Sequence, residues 1–287
     1  MLQDLAFGRL ENAYRPVPPK KEDYVLCVRD NQILIRRNPD DSLELPRVSQ
    51  VLTWQKGWQK WGEEPLQYAF CLQEENYFLW MGEAGSCPEE SFGFVLARQL
   101  RQQISKTVCY AAMTAWHLYN WYRSSRFCGR CGAKTVHDSR ERMMQCPDCG
   151  NMIFPRISPA VIVGVTDGDR LLLSKYAGRS YAHYALIAGY TEIGEAMEET
   201  VHREVMEEVG LRVKNIRYYK SQPWGIDGNI LMRFFCDLDG DDTVHLDENE
   251  LALGRWYRRN DLPVEDDGYS LTREMIRIFG EGREPAV

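Results

Sequence analysis

The chain has 287 residues, of which 44% are hydrophobic and 11% aromatic, and its formal net charge at pH 7 is −7. This composition predicts about two globular domains, and the negative charge argues against unspecific binding to nucleic acid over a large surface. No apolar run approaches the roughly 18 residues of a membrane span, and residues 1–20 lack the apolar centre of a signal peptide, so we expect a cytoplasmic protein.

The first part of the chain, residues 1–94, alternates short strand-like runs with polar turns. The clearest runs are Tyr24 to Val28, Gln32 to Ile35 and Tyr77 to Met81. This alternation predicts a small, mostly β domain. From Ser91 to Tyr122 the apolar residues recur at helical spacing, which predicts one or two helices that join this domain to the next part of the chain.

Three tryptophans, Trp54, Trp58 and Trp61, lie close together at nearly helical spacing. Stacking against nucleic-acid bases is one interpretation of such a group. We favour packing in a core or at a subunit contact, because large aromatic side chains are used for both.

The nine cysteines are an odd number in a chain without an export signal, which favours free thiols and a metal site over disulfides. Four of them form two Cys-x-x-Cys pairs separated by fourteen residues, each pair followed by a glycine: Cys128, Cys131, Cys146 and Cys149. Paired knuckles of this kind place four thiolates around Zn²⁺. Because a closed four-thiolate site has no open position, this zinc is expected to be structural, and the glycine-rich turns argue against a thioredoxin-like redox motif.

Other residues in and around the cysteine pairs have simpler interpretations. We expect His137 to be a loop residue and no zinc ligand. The remaining cysteines are expected to be small, partly buried apolar residues: Cys27, Cys71, Cys87, Cys109 and Cys236. Six basic residues make this region locally basic: Arg123, Arg126, Arg130, Lys134, Arg140 and Arg142. We favour solvated side chains that pair with Asp138 and Glu141, and the alternative is that some guide a phosphate-rich ligand.

The last part of the chain predicts a sheet with few helices. Ala160 to Val165 and Arg170 to Ser174 flank Asp167-Gly168-Asp169, which predicts a hairpin. Further strands are predicted near Val213 to Tyr219, Ile230 to Leu238 and Gly254 to Tyr257, and a final helix near Leu271 to Phe279.

Between these strands lies the most informative stretch, which reads Gly189, five residues, Glu195, seven residues, and then Arg203-Glu204-Val205-Met206-Glu207-Glu208-Val209-Gly210-Leu211. On a helix, Glu204, Glu207 and Glu208 project from one face, and three like charges there repel unless cations bind. Hard oxygen ligands favour Mg²⁺ or Mn²⁺.

The two glycines of this stretch have predicted structural roles. Gly189 ends the apolar run from Ala185 to Ala188, where we expect the backbone to turn sharply. Gly210 lies where the C-terminus of a helix needs a left-handed residue. The stretch is therefore expected to be a loop, a helix and a helix end, and Glu198 and Glu199 are interpreted as part of a solvated face.

Every fixed letter of the stretch matches the signature of the Nudix hydrolases, which cleave a nucleoside diphosphate linked to another group. The resemblance implies an α+β fold with a Nudix α/β/α sandwich. It further implies that Glu204, Glu207 and Glu208 bind Mg²⁺ or Mn²⁺ with the carbonyl of Ala188, and that Arg203 holds the carboxylates in position. The metal would neutralise the bridging phosphates and activate water, and which glutamate is the base is left open. Glu250 aligns with a distal metal-binding glutamate.

Two further features resemble one subfamily, the zinc-containing NADH pyrophosphatases: the four cysteines before the hydrolase domain, and Ser221-Gln222-Pro223-Trp224 after the box. That resemblance implies cleavage of NAD(H) to nicotinamide mononucleotide and AMP, removal of NAD caps from RNA 5′ ends, and a homodimer. It also implies a set of substrate-binding residues: Glu141, Phe154, Tyr190, Gln222, Pro223, Trp224, Asn229 and Thr272. Trp224 offers a flat face for a base or a nicotinamide ring.

The loop after Trp224 departs from the subfamily. Its usual continuation is Pro-Phe-Pro, whereas here it is Gly225-Ile226-Asp227. Because glycine replaces a rigid residue, we expect a more flexible loop. This departure keeps open a broader diphosphatase that acts on ADP-ribose or diadenosine polyphosphates.

The predicted organisation has three parts: a β-rich N-terminal domain with a connecting helix at residues 1–123, a zinc ribbon at 124–156, and a Nudix domain at 157–287. An alternative from another functional class is a non-catalytic zinc module that binds nucleic acid or protein, attached to a decayed hydrolase domain. The intact box argues against decay.

Overall fold

The computed structural model describes residues 3–5, 9–102, 105–178, 183–263 and 270–286. The chain divides into two compact units. The N-terminal unit contains Leu2–Arg156 and Trp224–Gly228, and the C-terminal unit contains Ile157–Pro223 and Asn229–Val287. Within the described ranges, none of the helices combines the length and the apolar character that a membrane span requires.

The N-terminal unit consists mainly of short strands. Its elements are, in chain order, β1 (Leu10–Glu11), β2 (Tyr24–Leu26), β3 (Val28–Arg29), β4 (Gln32–Arg37), β5 (Leu43–Glu44), α1 (Val48–Trp54), β6 (Leu66–Leu72), β7 (Glu75–Trp80), β8 (Phe92–Leu96), a 3₁₀ helix (Ala97–Gln102), α2 (Lys106–Ser124), β9 (Val136–His137), β10 (Met144–Gln145) and β11 (Met152–Ile153). One sheet has the order β1-β6-β7-β2, a second has β3-β4-β5 with β8 beside β4, and a third has β11-β10-β9. The predicted β-rich character is confirmed.

The stretch predicted to be helical from Ser91 to Tyr122 is only partly so. Helix α2 occupies its second half, and the side chain of Ser105 caps it by accepting a hydrogen bond from the backbone N–H of Val108. The helical prediction is wrong for β8, which pairs antiparallel with β4 along its whole length. Pairing with a distant strand satisfies the backbone here, and the exposed Gly93 weakens any local preference for a helix.

The three closely spaced tryptophans pack inside the N-terminal unit. Trp54 and Trp58 are buried, and the ring of Trp58 meets that of Trp80 edge-on at 5.2 Å. The ring of Trp61 lies 5.1 Å from that of Tyr119. The interpretation as packing residues is confirmed.

The described residues of the C-terminal unit form a six-stranded sheet with two α-helices and a short 3₁₀ helix. Its elements are β12 (Ser158–Asp167), β13 (Arg170–Tyr176), β14 (Ile187–Tyr190), α3 (Met197–Val209), β15 (Val213–Trp224), β16 (Asn229–Leu238), β17 (Leu251–Arg258), a 3₁₀ helix (Arg259–Asp261) and α4 (Leu271–Gly280). The strand order is β15-β16-β12-β13-β17, with β14 paired to β12. The predicted hairpin, strands and final helix are confirmed.

The helices α3 and α4 cover opposite faces of this sheet. Alternate residues of a strand point to opposite faces. One face of β12 packs with valines of α3, and the cluster includes Val161, Val163, Val165, Val201, Val205 and Val209. The other face packs with α4, and that cluster includes Ile162, Phe235, Met275, Ile276 and Phe279. The result is an α/β/α sandwich, so the predicted α+β class is confirmed.

Candidate active site and zinc ribbon

Helix α3 has defined ends that hold its glutamates in place. At the start, the backbone N–H of Ala196 donates to the Glu199 carboxylate at 2.7 Å, and two acidic residues in the first turn suit the positive end of the helix dipole. At the end, Gly210 is left-handed with φ 68°, and its N–H donates to the carbonyl of Met206. The predicted helix end is confirmed.

The three glutamates of the α3 face differ in exposure. Glu204 and Glu208 are buried, whereas the side chain of Glu207 is 59% exposed. Burial raises the pKa of the Glu204 carboxyl, hydrogen bonding to Arg203 opposes that rise, and the charges on Glu207 and Glu250 add to it. Glu250, just before β17, is therefore within electrostatic reach of Glu204.

The guanidinium of Arg203 connects the loop before α3 to the helix. Its Nε and Nη2 donate to the two carboxylate oxygens of Glu195 at 2.6 and 2.9 Å. Its Nη1 donates to Glu204 at 2.7 Å and to Glu207 at 3.0 Å, and Nη2 also donates to the carbonyl of Tyr190 at 2.9 Å. A planar guanidinium suits this two-oxygen contact, so Arg203 positions the carboxylates around it.

Glu195 is itself held firmly. The bidentate contact with Arg203, the backbone N–H of Glu192 and the hydroxyl of Thr200 stabilise its charged form and lower its pKa to about 2. Glu195 therefore stays ionised across the physiological pH range and anchors Arg203.

Gly189 has a different role from the predicted one. It lies within β14, paired with Val161, and no sharp turn occurs there. A β-carbon at residue 189 would fall 1.9 Å from Cδ of Glu204. The predicted turn at Gly189 is therefore wrong. Glycine is required there because the strand backbone lies directly against the Glu204 carboxylate. Ala188 precedes it in the same strand.

The donor chemistry of this site suits a hard cation. Glu204, Glu207, Glu208 and Glu250 offer carboxylate oxygens. Burial raises the pKa of Glu204, and the charges on Glu207 and Glu250 raise it further. Among the described residues, the four ribbon cysteines are the only group of three or more potential ligands whose atoms all lie within 4.8 Å of one another. The carboxylates of α3 do not form such a cluster. Arg203 bridges Glu204 and Glu207 instead.

Several residues predicted to bind substrate lie in the C-terminal unit. Tyr190 is 51% exposed, and its hydroxyl accepts a hydrogen bond from Nδ2 of the buried Asn229 at 3.2 Å. Gln222 is fully buried in β15, Pro223 is exposed, and Thr272 is partly buried near the start of α4. The structure brings Tyr190 and Asn229 into direct contact.

The other predicted substrate residues belong to the N-terminal unit. Phe154 is 52% exposed, and the backbone N–H of Glu141 donates to the Asp138 carboxylate. The indole Nε1 of Trp224 donates to Asp227 at 3.0 Å. The sequence did not predict Asp227 as a partner of Trp224, although a carboxylate in a loop that departs from the resembled subfamily was a usable signal.

The loop after Trp224, which the sequence predicts to be more flexible than in the resembled subfamily, makes defined contacts in the structure. Asp227 forms an ion pair with Arg98 at 2.5 Å. A β-carbon at residue 225 would lie 2.1 Å from the carbonyl oxygen of Met113 in α2. The glycine at 225 therefore permits close packing on the helix.

The four ribbon cysteines converge. The Sγ atoms of Cys128 and Cys149 are 3.6 Å apart, and those of Cys131 and Cys146 are 3.4 Å apart. The glycines after the two pairs have φ of 78° and 70°, as knuckle turns require. The backbone N–H of Arg130 donates to Cys128 and is the main cause that lowers its pKa to about 6, which favours the thiolate. This cluster fits a tetrahedral zinc ion.

His137 lies outside the cysteine cluster, as predicted. The prediction that His137 is a loop residue is wrong, because it lies in strand β9. Its Nε2 is 2.8 Å from the hydroxyl of Tyr122. Burial lowers its pKa. The five cysteines outside the ribbon are buried or partly buried, as predicted.

The predicted pairing of the ribbon arginines with Asp138 and Glu141 is wrong for Arg142. Its Nη1 donates to Asn12 at 2.7 Å, its Nη2 donates to the carbonyl of Ala69, and its guanidinium lies 5.5 Å from the ring of Tyr14. Arg142 therefore connects the ribbon to the N-terminal strands, because a long side chain can reach distant acceptors. Arg140 is exposed, and its backbone N–H donates to Asp138.

Comparison with known proteins adds two family matches and a set of relatives. Residues 156–279 match the NUDIX domain, and residues 123–154 match the NADH pyrophosphatase zinc ribbon domain. Over 159 residues the chain is 38% identical to the NAD-capped RNA hydrolase NudC of Enterobacter sp. (strain 638) and 37% identical to that of Shigella flexneri. These matches cover 55% of this chain and 61% and 62% of the relatives. The chain thus spans about three fifths of the length of the curated relatives it matches.

Among solved structures, a NUDIX hydrolase from Nitrosomonas europaea is similar with 23% identity and a TM-score of 0.47. That match covers 54% of this chain and 91% of the other chain.

Proposed function

We propose that this chain, which belongs to the Nudix family and carries the zinc ribbon of NADH pyrophosphatases, hydrolyses the pyrophosphate bond of NAD(H). The products would be nicotinamide mononucleotide, in reduced or oxidised form, and AMP. The same pyrophosphate bond joins nicotinamide mononucleotide to the 5′-terminal AMP of NAD-capped RNA, so we include removal of such caps in the proposal. The relatives named as NAD-capped RNA hydrolases support this extension.

One observation carries the proposal: Arg203 joins Glu195 of the loop to Glu204 and Glu207 of α3, while Gly189 lets the neighbouring strand lie against Glu204. Arg203 and the strand backbone thereby hold carboxylates of α3 in fixed positions on one helix face. Carboxylate oxygens on such a face suit a divalent cation that binds a pyrophosphate.

The metal-binding residues of the proposal are the carbonyl of Ala188 and the carboxylates of Glu204, Glu207, Glu208 and Glu250. Bound Mg²⁺ or Mn²⁺ would supply charge neutralisation for the phosphates and a lower pKa for an attacking water. Arg203 orients Glu204 and Glu207, and Glu195 keeps Arg203 in place. One of the three α3 glutamates would take the proton of the water. The zinc of the ribbon would be structural and take no part in the chemistry.

The substrate would be held by aromatic and polar residues. We propose contacts from Glu141, Phe154, Tyr190, Gln222, Pro223, Trp224, Asn229 and Thr272. Trp224 and Tyr190 offer flat faces for a base or nicotinamide ring, and Phe154 could stack but cannot donate a hydrogen bond. We further propose a homodimer.

A broader diphosphatase that cleaves ADP-ribose or diadenosine polyphosphates is the second candidate. The observation that favours it is the loop from Gly225 to Asp227, which replaces the Pro-Phe-Pro of the subfamily. A non-catalytic zinc module has less support, because the residues of the box are complete.

The catalytic part of the proposal can be tested with Glu207→Gln. This variant should lose turnover of NADH while it keeps the zinc content of the wild type, because an amide is a weaker ligand and a poorer base than a carboxylate. Glu198→Gln, on the exposed first turn of the same helix, is the matched control and should retain activity. Full activity of Glu207→Gln would contradict the proposed role of the box.

A further inference from the structure

The carboxylate of Asp227 connects two other side chains of the N-terminal unit. Its Oδ2 accepts a hydrogen bond from the indole Nε1 of Trp224 at 3.0 Å. Its Oδ1 accepts from Nη2 of Arg98 at 2.5 Å. We call this set of three residues, Trp224, Asp227 and Arg98, the Asp227 bridge.

The backbone around the Asp227 bridge is also constrained. Residue 225 has no room for a side chain, because a β-carbon there would overlap the carbonyl of Met113. Gly228 has φ of 70°, a conformation that other residues rarely adopt. The loop therefore follows α2 closely and directs the Asp227 side chain back to the indole.

The hydrogen bond to Asp227 favours one orientation of the Trp224 indole. A hydrogen bond to a charged acceptor is stronger than one between neutral groups. The side chain of Asp227 is 32% exposed, so solvent weakens its contacts only in part, whereas the side chain of Arg98 is 76% exposed. Arg98 is thus the weaker member of the bridge, and its contribution should decrease at high salt.

We propose that Asp227 and Arg98 are positioning residues, which fix the plane of the Trp224 indole for contact with a flat purine or nicotinamide ring of the substrate. This inference rests on the proposed function. In the resembled subfamily, two prolines stiffen the corresponding loop. In this chain, the hydrogen bonds and the ion pair of Asp227 restrict the loop instead. Less conformational entropy is then lost when the ring binds.

The kinetic test compares single and double variants on NADH. Asp227→Ala should raise KM about tenfold, the scale of one hydrogen bond to a charged group, and leave kcat within about twofold. Arg98→Ala should raise KM about threefold, as expected for a partly exposed ion pair. Asp227→Asn, which keeps an acceptor for the indole, should lie between Asp227→Ala and the wild type.

The double variant separates positioning from a general effect on folding. Trp224→Ala should raise KM, and adding Asp227→Ala to it should change nothing further, because Asp227 acts through the indole. Arg37→Ala is the matched control: it removes an exposed ion pair with Asp41 at 3.2 Å in the same unit and should leave KM unchanged. Additive effects of Trp224→Ala and Asp227→Ala would overturn the inference.

A spectroscopic test does not depend on turnover. In protein labelled with ¹⁵N-tryptophan, the indole N–H signal of Trp224 is the one missing from Trp224→Phe. Asp227→Ala should shift that signal upfield, because the charged acceptor is lost, and Arg37→Ala should not move it. An unmoved signal in Asp227→Ala would overturn the bridge even if NADH is cleaved. If the wild type does not cleave NADH, the proposed function is contradicted. The indole signal would still show whether the Asp227 bridge exists.

Discussion

Gly189 of β14 lies so close to Glu204 of α3 that a β-carbon at residue 189 would fall 1.9 Å from the carboxyl carbon of that glutamate. The strand backbone therefore approaches the carboxylate directly. Glu204 is buried, and Nη1 of Arg203 donates a hydrogen bond to its carboxylate at 2.7 Å. The position of Glu204 thus depends on the absence of a side chain at 189.

Gly189→Ala should displace the Glu204 carboxylate and lower kcat by about a hundredfold, because a shift of about 1 Å at a catalytic group has effects of this size. The matched control is Gly93→Ala in β8, where a β-carbon would meet nothing within 4 Å. Turnover of NADH and binding of Mn²⁺ by calorimetry measure the effect. Wild-type activity in Gly189→Ala would show that the close approach has no functional importance.

Glu195→Gln should weaken the anchor of Arg203 and lower kcat about tenfold, with a smaller change in KM. The physical reason is that an amide accepts only one of the two hydrogen bonds that the guanidinium donates to the carboxylate. Steady-state kinetics on NADH measure it, with Glu192→Gln in the same loop as the control. Equal losses in the two variants would contradict a specific role for Glu195.

Removal of one ribbon cysteine should release the zinc. Cys146→Ser should lack the zinc that the wild type holds and should melt at a lower temperature, since the metal stabilises the folded ribbon. Cys87→Ser, outside the cluster, should keep both the metal and the melting temperature. Zinc content by elemental analysis is the measurement, and a zinc-loaded Cys146→Ser protein would contradict the assignment.

His137 should make stability depend on pH. Burial lowers its pKa in the folded state, Asp138 opposes this shift and Arg142 adds to it. A histidine with a lowered folded pKa contributes stability that is present above its unfolded pKa and is lost as pH falls through the folded value. The melting temperature should therefore fall more between about pH 7.5 and about pH 5.5 in the wild type than in His137→Gln.

The control for the pH experiment is His202→Gln, which changes an exposed histidine of α3. It should keep the pH dependence of the wild type. If His137→Gln and the wild type lose stability in parallel, then His137 is not the group responsible.

Much of the site could be predicted from local spacing. The order of Glu204, Glu207 and Glu208 on a helix, the left-handed Gly210 and the two cysteine pairs all depend on residues close in sequence, and the structure contains each of them in the expected local form. Short-range geometry is nearly independent of the rest of the fold.

Contacts between distant residues could not be predicted in this way. Arg142 reaches Asn12, 130 residues away, and Asp227 reaches Arg98 across 129 residues. The strand at residues 92–96 depends on a partner strand some sixty residues earlier, so its helical spacing was misleading. In each case the tertiary partner decided the structure, and no local pattern records that partner.

The proposed reaction breaks the pyrophosphate bond between the two nucleotides of NAD(H). The most direct measurement is hydrolysis of NADH, NAD⁺, ADP-ribose and NAD-capped RNA side by side with Mg²⁺ or Mn²⁺, with the products identified by mass. Cleavage of the pyrophosphate bond should give AMP with reduced or oxidised nicotinamide mononucleotide from the free dinucleotides, and nicotinamide mononucleotide with a 5′-monophosphate RNA from the capped RNA. Release of nicotinamide with ADP-ribose, or no cleavage of any of the four, would contradict it.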